Sequence, residues 1–498
     1  MKNLFRRKGL ALASVILLIV IITAAVDRGA FGTLFTVGKY DTEEHMVETL
    51  MAKTATPGVA IVSSKQGNTD YKVYGYADVD LDKKVTEESL FELGSTTKAF
   101  TALAIILLKD EGKLAYSDAV SEYLPRFVPT FQEENVNITI DQLLAHTSGI
   151  PSWSIKLIPE GTTENLLDET INKISDISLD TYPGAEYQYA TVNYDILAMI
   201  IEKVTGTSYQ NYVTQNILVP LKMTDSYFST GQEQKPDQLT RGYRVFFGKS
   251  FQYDAPRYYG NIAAGYLVTN IKDLEHWMNA QLGMGDIPEG LRRAIRQSHE
   301  VDLQTAGYEE KNQYYSYGWS NDPEERVISH SGSNPNYSSH FIMDIGKLEA
   351  VLVLTNLNST APSLIAHNLH ENMNGNPMNK FTYDDSYILL DLIFSFLALL
   401  TAISLSLKVI KLAGGSKQNK NVQKTRNKRI IVILVIILRA MLLVMVIFWP
   451  YLLNNNYYMI SVWMSYSLFL WMGLVSLSCM LSIILNLKKL GVLRSNLS

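Results

Sequence analysis

The chain is poor in cysteine. Among 498 residues there is one, Cys479, inside an apolar run. That excludes an intrachain disulfide framework and a cysteine-based metal site. No H-E-x-x-H run or similar metal motif occurs either, so neither metal nor cofactor is expected. Residues 30–385 carry mixed charge without a long acidic or basic block, and the net charge is −5. A nucleic-acid partner is therefore not expected. There is no internal repeat. What the chain has in abundance is apolar residues, 47 % of the total, and they gather at the two ends.

The N-terminal run LALASVILLIVIITAAV, 10–26, follows Lys2, Arg6, Arg7 and Lys8. It reads as a signal anchor, or as a signal peptide cleaved near Thr23–Ala25. Residues 1–29 form this segment in either case, and both send residues 30–385 across the membrane. Three further runs follow in 386–498: Tyr387–Leu407, Ile430–Leu453 and Tyr457–Leu485. Each reaches the ~20 residues that span a bilayer. The loop 408–429 holds eight Lys or Arg and no acid. Basic loops stay inside. That gives a multi-pass protein of a bacterial cytoplasmic membrane, with 30–385 outside, loop 408–429 inside, Asn454–Asn456 outside and the C-terminus inside. Trp449, Tyr451, Tyr457 and Tyr458 cluster at the outer edge. Asp391 and Arg439 fall within apolar runs, where a charge needs a partner. They serve either a function or a structural bundle pair. Three spans exceed what a tether needs. A contribution to the substrate site and contact with an exporter are the uses this leaves open.

The stretch GSTTKAF, 94–100, sets Ser95 three residues before Lys98 at the start of an amphipathic helical pattern. One helical face would then hold both. Free N–H groups and the helix dipole would favour negative charge on the serine. Ser and Lys at this spacing also occur on ordinary capped helices. A second stretch, YPGAEYQYATVNYDILAMIIEKVTG, 182–206, places Tyr189 just before a helix that ends at Gly206. A tyrosine beside a Ser–Lys pair shuttles a proton if the lysine's charge lowers its pKa; it is also one of 29 tyrosines. A third stretch, VISHSGSNPNYSSHFIMDI, 327–345, predicts two strands and a turn, with GKLEAVLVLTNL as the next strand. Gly332 on a strand admits close backbone approach. His330, two positions earlier, would face the same cleft; it too could be a lone structural His among eight.

The order S-x-x-K, then Tyr, then H-x-G resembles the serine β-lactamase and penicillin-binding-protein superfamily. TPGVAIVSSKQG (56–67), FELGSTTKAFTALAIILLKDEGKLAYSDAVSEYLPRF (91–127) and TIDQLLAHTSGIP (139–151) resemble its class C branch. So do AAGYLVTNIKDLEHWM (263–278) and YGWS (317–320). The resemblance covers about residues 45–360. It implies an α/β (α+β) two-lobed fold, an antiparallel sheet flanked by helices plus a helical lobe. It further implies Ser95 as acylated nucleophile, with Lys98 and Tyr189 as general base and acid. The backbone N–H groups of Ser95 and Ser333 would form the oxyanion hole.

Two departures bear on the substrate. Class C enzymes carry Lys where His330 stands, and a neutral His is a weaker carboxylate anchor. Most members have Asn where Tyr189-Ala190-Thr191 has Thr191. An external catalytic domain followed by three spans is similar to the membrane-bound peptidases of the colibactin and zwittermicin type. Those remove an N-acyl-D-Asn cap from an exported nonribosomal peptide. The resemblance implies substrate contacts from Thr191, His330, Gly332 and Asn334. Cleavage of a peptide antibiotic as self-resistance, a D,D-carboxypeptidase or esterase role, and a non-catalytic cell-wall peptide receptor are the alternatives.

Overall fold

The computed structural model describes residues 40–230, 236–310, 312–378, 385–413, 426–452, 456–490 and 492. The N-terminal run 10–26, most of the basic loop 408–429, and Asn454, Asn455 and Arg494 lie outside these.

Helix α1 (Glu43–Thr54) is capped by Thr42, whose side chain accepts from His45 N. Strands β1 (Gly58–Lys65), β2 (Asn68–Asp78) and β3 (Lys83–Lys84) follow. The chain then leaves the sheet for a helical lobe. The long segment that follows holds α2 (Lys98–Asp110), α3 (Asn165–Lys173), α4 (Val192–Thr205), a small hairpin of β4 (Tyr243–Phe246) and β5 (Lys249–Gln252) whose Tyr243 and Val245 pack on the α1 side of the sheet, α5 (Ile271–Gln281) and α6 (Glu289–Ser298). It returns through β6 (Gly307–Glu310), β7 (Gln313–Ser316), β8 (Trp319–Asp322), β9 (Val327–Asn334), β10 (Tyr337–Asp344) and β11 (Glu349–Thr355), then α7 (Ala361–Met373). The nine-stranded sheet runs β6-β7-β8-β9-β10-β11-β1-β2-β3, each neighbour antiparallel.

Side-chain alternation explains the layers. Val59, Ile61, Ile342, Val351 and Val353 pack on Met46, Val47 and Leu50 of α1 and Ile365 and Ala366 of α7. Ala60, Val62, Phe341, Met343, Leu352 and Leu354 join the core that holds α2, α4 and α5. Both sheet faces are covered, so the central strands read as continuous apolar runs. The α+β fold expected from the sequence is the fold observed. The predicted strands around 327–355 are β9, β10 and β11.

Helices α8 (Ser386–Ala413), α9 (Arg426–Leu452), α10 (Tyr457–Trp463) and α11 (Tyr466–Leu490) complete the chain. Among the described residues, three helical stretches are long and apolar enough to cross a membrane: Ser386–Val409, Asn427–Leu452 and Tyr466–Lys488. The third apolar run is not one helix, as its composition suggested. Met464 is extended, and Asn456 starts α10 separately by accepting from Met459 N at 2.8 Å. The Ser465 hydroxyl accepts from Ser467 N at 3.1 Å to begin α11.

Candidate active site

Ser95 does not lie in α2 itself. It sits in a single 3₁₀ turn, Gly94–Thr97, that feeds into α2 at Lys98. In such a turn residues i and i+3 eclipse, which sets Ser95 over Lys98. Lys98 Nζ lies 3.1 Å from Ser95 Oγ and 3.0 Å from Ala264 O. Its side chain has no exposed surface, while Ser95 is half-buried. The Thr96 hydroxyl pins the turn, donating to Leu93 O at 3.0 Å.

Tyr189 approaches from the helical lobe, three residues before α4. Its backbone carbonyl accepts from Ser152 Oγ at 2.7 Å. Its hydroxyl is hydrogen-bonded to Ser95, and its ring centroid lies 5.1 Å from Lys98 Nζ. The three groups named from the sequence meet at one point. His146 lies 4.2 Å beneath the Tyr189 ring, centroid to centroid, at 38°.

Strand β9 forms the opposite wall. A Cβ on Gly332 would run into Leu93 O, and one on Gly94 would fall 2.5 Å from Ser333 N. Two glycines thus let β9 lie against the nucleophile turn, with the Ser333 amide beside Ser95. Ser333 Oγ turns away and donates to Asn358 Oδ1 at 2.8 Å. His330 is buried. Its Nε2 accepts from Tyr315 OH at 2.9 Å, and its Nδ1 donates to Ser331 O at 2.7 Å.

Two residues assigned to substrate contact also make contacts within the protein. Asn334 is 4 % exposed, and its Nδ2 donates to Glu92 Oε2 at 2.8 Å and to Gly265 O at 2.9 Å. Glu92 is also ion-paired with Arg257. The Asn334 amide therefore ties Glu92 to the Gly265 backbone. Thr191 points to Asn261, 3.2 Å from Thr191 Oγ1. Sequence reading missed Tyr315, His146 and Glu92. His146 lay in the quoted TIDQLLAHTSGIP stretch, but nothing local marks it as Tyr189's support. Nothing in QYYS separates Tyr315 from 28 other tyrosines.

Burial decides the electrostatics. It pulls the Lys98 amine down from its usual 10.5 to about 7, although the Asp195 carboxylate works against it. Burial pushes the Tyr189 phenol well above its usual range. The expectation that Lys98 would lower Tyr189 is thus reversed: at neutral pH the amine can accept a proton and the phenol stays neutral. Burial, with Lys98 nearby, takes His330 to about 3, so it is uncharged. Among the described residues, no three His, Cys, Asp or Glu side chains gather as a metal set. The arrangement offers a hydroxyl, a buried amine as proton acceptor and a neutral phenol, with the β9 backbone at Ser333 packed against the turn at Gly94.

The chain matches the Beta-lactamase family over residues 44–371. It belongs to that family. Protein flp of Staphylococcus aureus (strain NCTC 8325 / PS 47) is 36 % identical over 326 residues, 65 % of this chain and 64 % of flp. The chain thus spans less than two thirds of that relative's length. Penicillin-binding protein 4* of Bacillus subtilis (strain 168) is 28 % identical over 329 residues, 62 % of this chain and 70 % of its own. Among solved structures, the octameric penicillin-binding protein homologue from Pyrococcus abyssi has a TM-score of 0.58 at 27 % identity, covering 71 % of this chain and 80 % of its own. A class C beta-lactamase has a TM-score of 0.56 at 21 % identity, with coverages of 66 % and 94 %, a likeness of fold. The beta-lactamase family site is thus of the serine hydrolase kind, class C-like in fold.

Proposed function

We propose that the protein is a membrane-bound serine hydrolase that cleaves D-residue amides through an acyl-enzyme on Ser95. One observation carries this reading: a fully buried, easily deprotonated amine lies 3.1 Å from the Ser95 hydroxyl. Ser95 Oγ attacks the substrate carbonyl while its proton passes to Lys98 Nζ. The Ser95 and Ser333 amides receive the developing oxyanion. The leaving amine takes its proton from Lys98 through the Tyr189 hydroxyl. Water then enters, gives its proton back along the same route and frees the acid. An intact relay of this kind argues against a non-catalytic receptor.

Neutral His330 gives the cleft no fixed cation at that position. This favours substrates that need no carboxylate anchor, and disfavours β-lactams. The narrower reading is removal of an N-acyl-D-Asn cap from an exported nonribosomal peptide, with Asn334 and Thr191 as candidate contacts. The 28 % identity to Penicillin-binding protein 4* favours a D,D-peptidase role as the second reading. The three spans and the basic loop support a catalytic domain outside the membrane.

Purified full-length protein should be offered an N-acyl-D-Asn amide, its L-isomer and an acyl-D-Ala-D-Ala peptide. The D-substrates are expected to be cleaved at least ~100-fold faster than the L-isomer. Ser95→Ala should lower kcat/KM by roughly 10³–10⁶. Equal rates on both enantiomers, or none on any, would end this reading. The ratio of the two D-substrates separates the cap peptidase from the D,D-peptidase.

A further inference from the structure

His146 fills a position where helix geometry favours glycine. The short helix Ile140–Leu144 ends at Ala145, and the next residue, His146, stands at φ +54°. His146 N donates to Leu143 O at 3.3 Å and Thr147 N to Gln142 O at 2.9 Å, the pair of bonds that closes a helix around a left-handed residue. A bulky side chain there carries strain, and strain of this kind gathers at functional sites. The imidazole has no exposed surface.

His146 grips Tyr189 from both sides. Its carbonyl accepts from Gln188 N at 2.8 Å, and its Nδ1 accepts from Ala190 N at 3.3 Å. Residues 188 and 190 flank Tyr189, whose ring rests on the imidazole between these two bonds. A second donor, Asn193 Nδ2, faces Nδ1 at 2.9 Å. Ser148 Oγ orients that amide, donating to Asn193 Oδ1 at 2.9 Å and accepting from Ile150 N at 3.2 Å. With two donors on Nδ1, the ring proton is assigned to Nε2 and a second has no place. Burial, with Lys98 nearby, acts in the same direction and holds His146 well below its usual pKa. The imidazole is thus a neutral platform. The Tyr315 and Tyr194 rings wall it in at 4.7 and 5.3 Å, centroid to centroid.

We propose that His146 is a positioning residue: its Nδ1, its carbonyl and its ring together hold the Tyr189 hydroxyl at Ser95, where the leaving amine collects its proton. This rests on the acyl-enzyme reading above.

The test is single-turnover acylation of Ser95 by two substrates that share one N-acyl-D-residue, an amide and a 4-nitrophenyl ester. As the C–N bond of the amide breaks, its nitrogen must gain a proton; 4-nitrophenolate leaves as the anion and needs none. The Ser95 proton passes to Lys98 Nζ with both. His146→Asn tolerates the left-handed backbone and keeps an acceptor for Ala190 N, but removes the ring under Tyr189. Its amide acylation is expected to fall about 100-fold, and its ester acylation by less than about threefold. Tyr189→Phe sets the reference, and the double variant should be no slower on the amide than Tyr189→Phe alone.

A merely structural role would slow both substrates alike and add to the effect of Tyr189→Phe. Equal losses on the two substrates, or no loss on the amide, in folded His146→Asn overturn the inference. Should His146→Asn fail to fold, His146→Gly, suited to φ +54°, is read in the same way. If neither folds, His146 is structural and the inference falls. If the wild type is acylated and only the substrate difference is missing, the His146 inference falls alone. If the wild type takes no acyl group from either substrate, both readings fall.

Discussion

Lys98 carries an energetic cost in the site. Its amine is fully enclosed, and its pKa falls from 10.5 to about 7. Between those values the unfolded chain holds a proton that the folded chain has lost. Stability therefore drops as pH falls from above 10.5 to 7, and the penalty is complete below 7. Lys98→Met should abolish turnover yet raise Tm at pH 7, with the gain shrinking toward pH 10.5; calorimetry across that range checks both. In the wild type, kcat/KM should rise with pH through about 7, as the amine loses its proton. A rate flat from pH 5 to 9 would exclude Lys98 as the base. The residue types of this site were legible because nucleophile, amine and phenol stood in short local patterns. Their protonation was not, because desolvation comes from the α4 and β9 side chains that close over them. Asn334 shows the same limit: only folding brings Glu92 and Gly265 to its amide.

At the scale of elements, the site depends on β9 lying against the 94–97 turn without side chains between them. Gly332→Ala should push β9 off Leu93 and displace the Ser333 amide. A shift of that kind costs roughly 100-fold in kcat, with a lower Tm; a variant with unchanged kcat would contradict the close approach. Gly94, at φ +60°, resists substitution for the same reason and for its backbone conformation. Period-2 and helical patterns predicted β9, β10, β11, α2 and α4. The break at Met464–Ser465 escaped notice because hydropathy continues across it. What stops the helix is a polar contact: Ser465 Oγ donates to Asp391 Oδ1.

At the scale of the whole molecule, the C-terminal apolar helices are docked onto the β-lactamase-like part of the chain. Asp391 accepts from Gly248 N at 2.7 Å as well as from Ser465. Its partner is thus the β4–β5 hairpin and not Arg439. Arg244 on the same hairpin donates to Val462 O, and its guanidinium stacks 3.8 Å over Tyr253 and 4.7 Å over Tyr466. Tyr458 of α10 donates to Glu160 and accepts from Tyr258 at 3.2 Å. Arg257, next to Tyr258, pairs with the Glu92 that holds Asn334. This contact chain links the C-terminal apolar helices to a wall of the cleft, which sequence spacing could not reveal. Arg244→Ala removes a buried charged donor and should cost about 2 kcal/mol. In the detergent-solubilised full chain it should speed proteolysis of the β4–β5 hairpin; an unchanged cleavage rate would show that the docking contributes nothing.

The central claim is that Ser95 becomes covalently acylated. Intact-mass spectrometry of the full-length protein, quenched in acid within one turnover of an N-acyl-D-residue amide, tests it most directly. The account predicts a mass increase equal to the acyl group, mapped to the peptide containing Ser95, and absent in Ser95→Ala and with the L-isomer. Turnover of the D-substrate with no adduct on Ser95, or an adduct mapped to another residue, would contradict it.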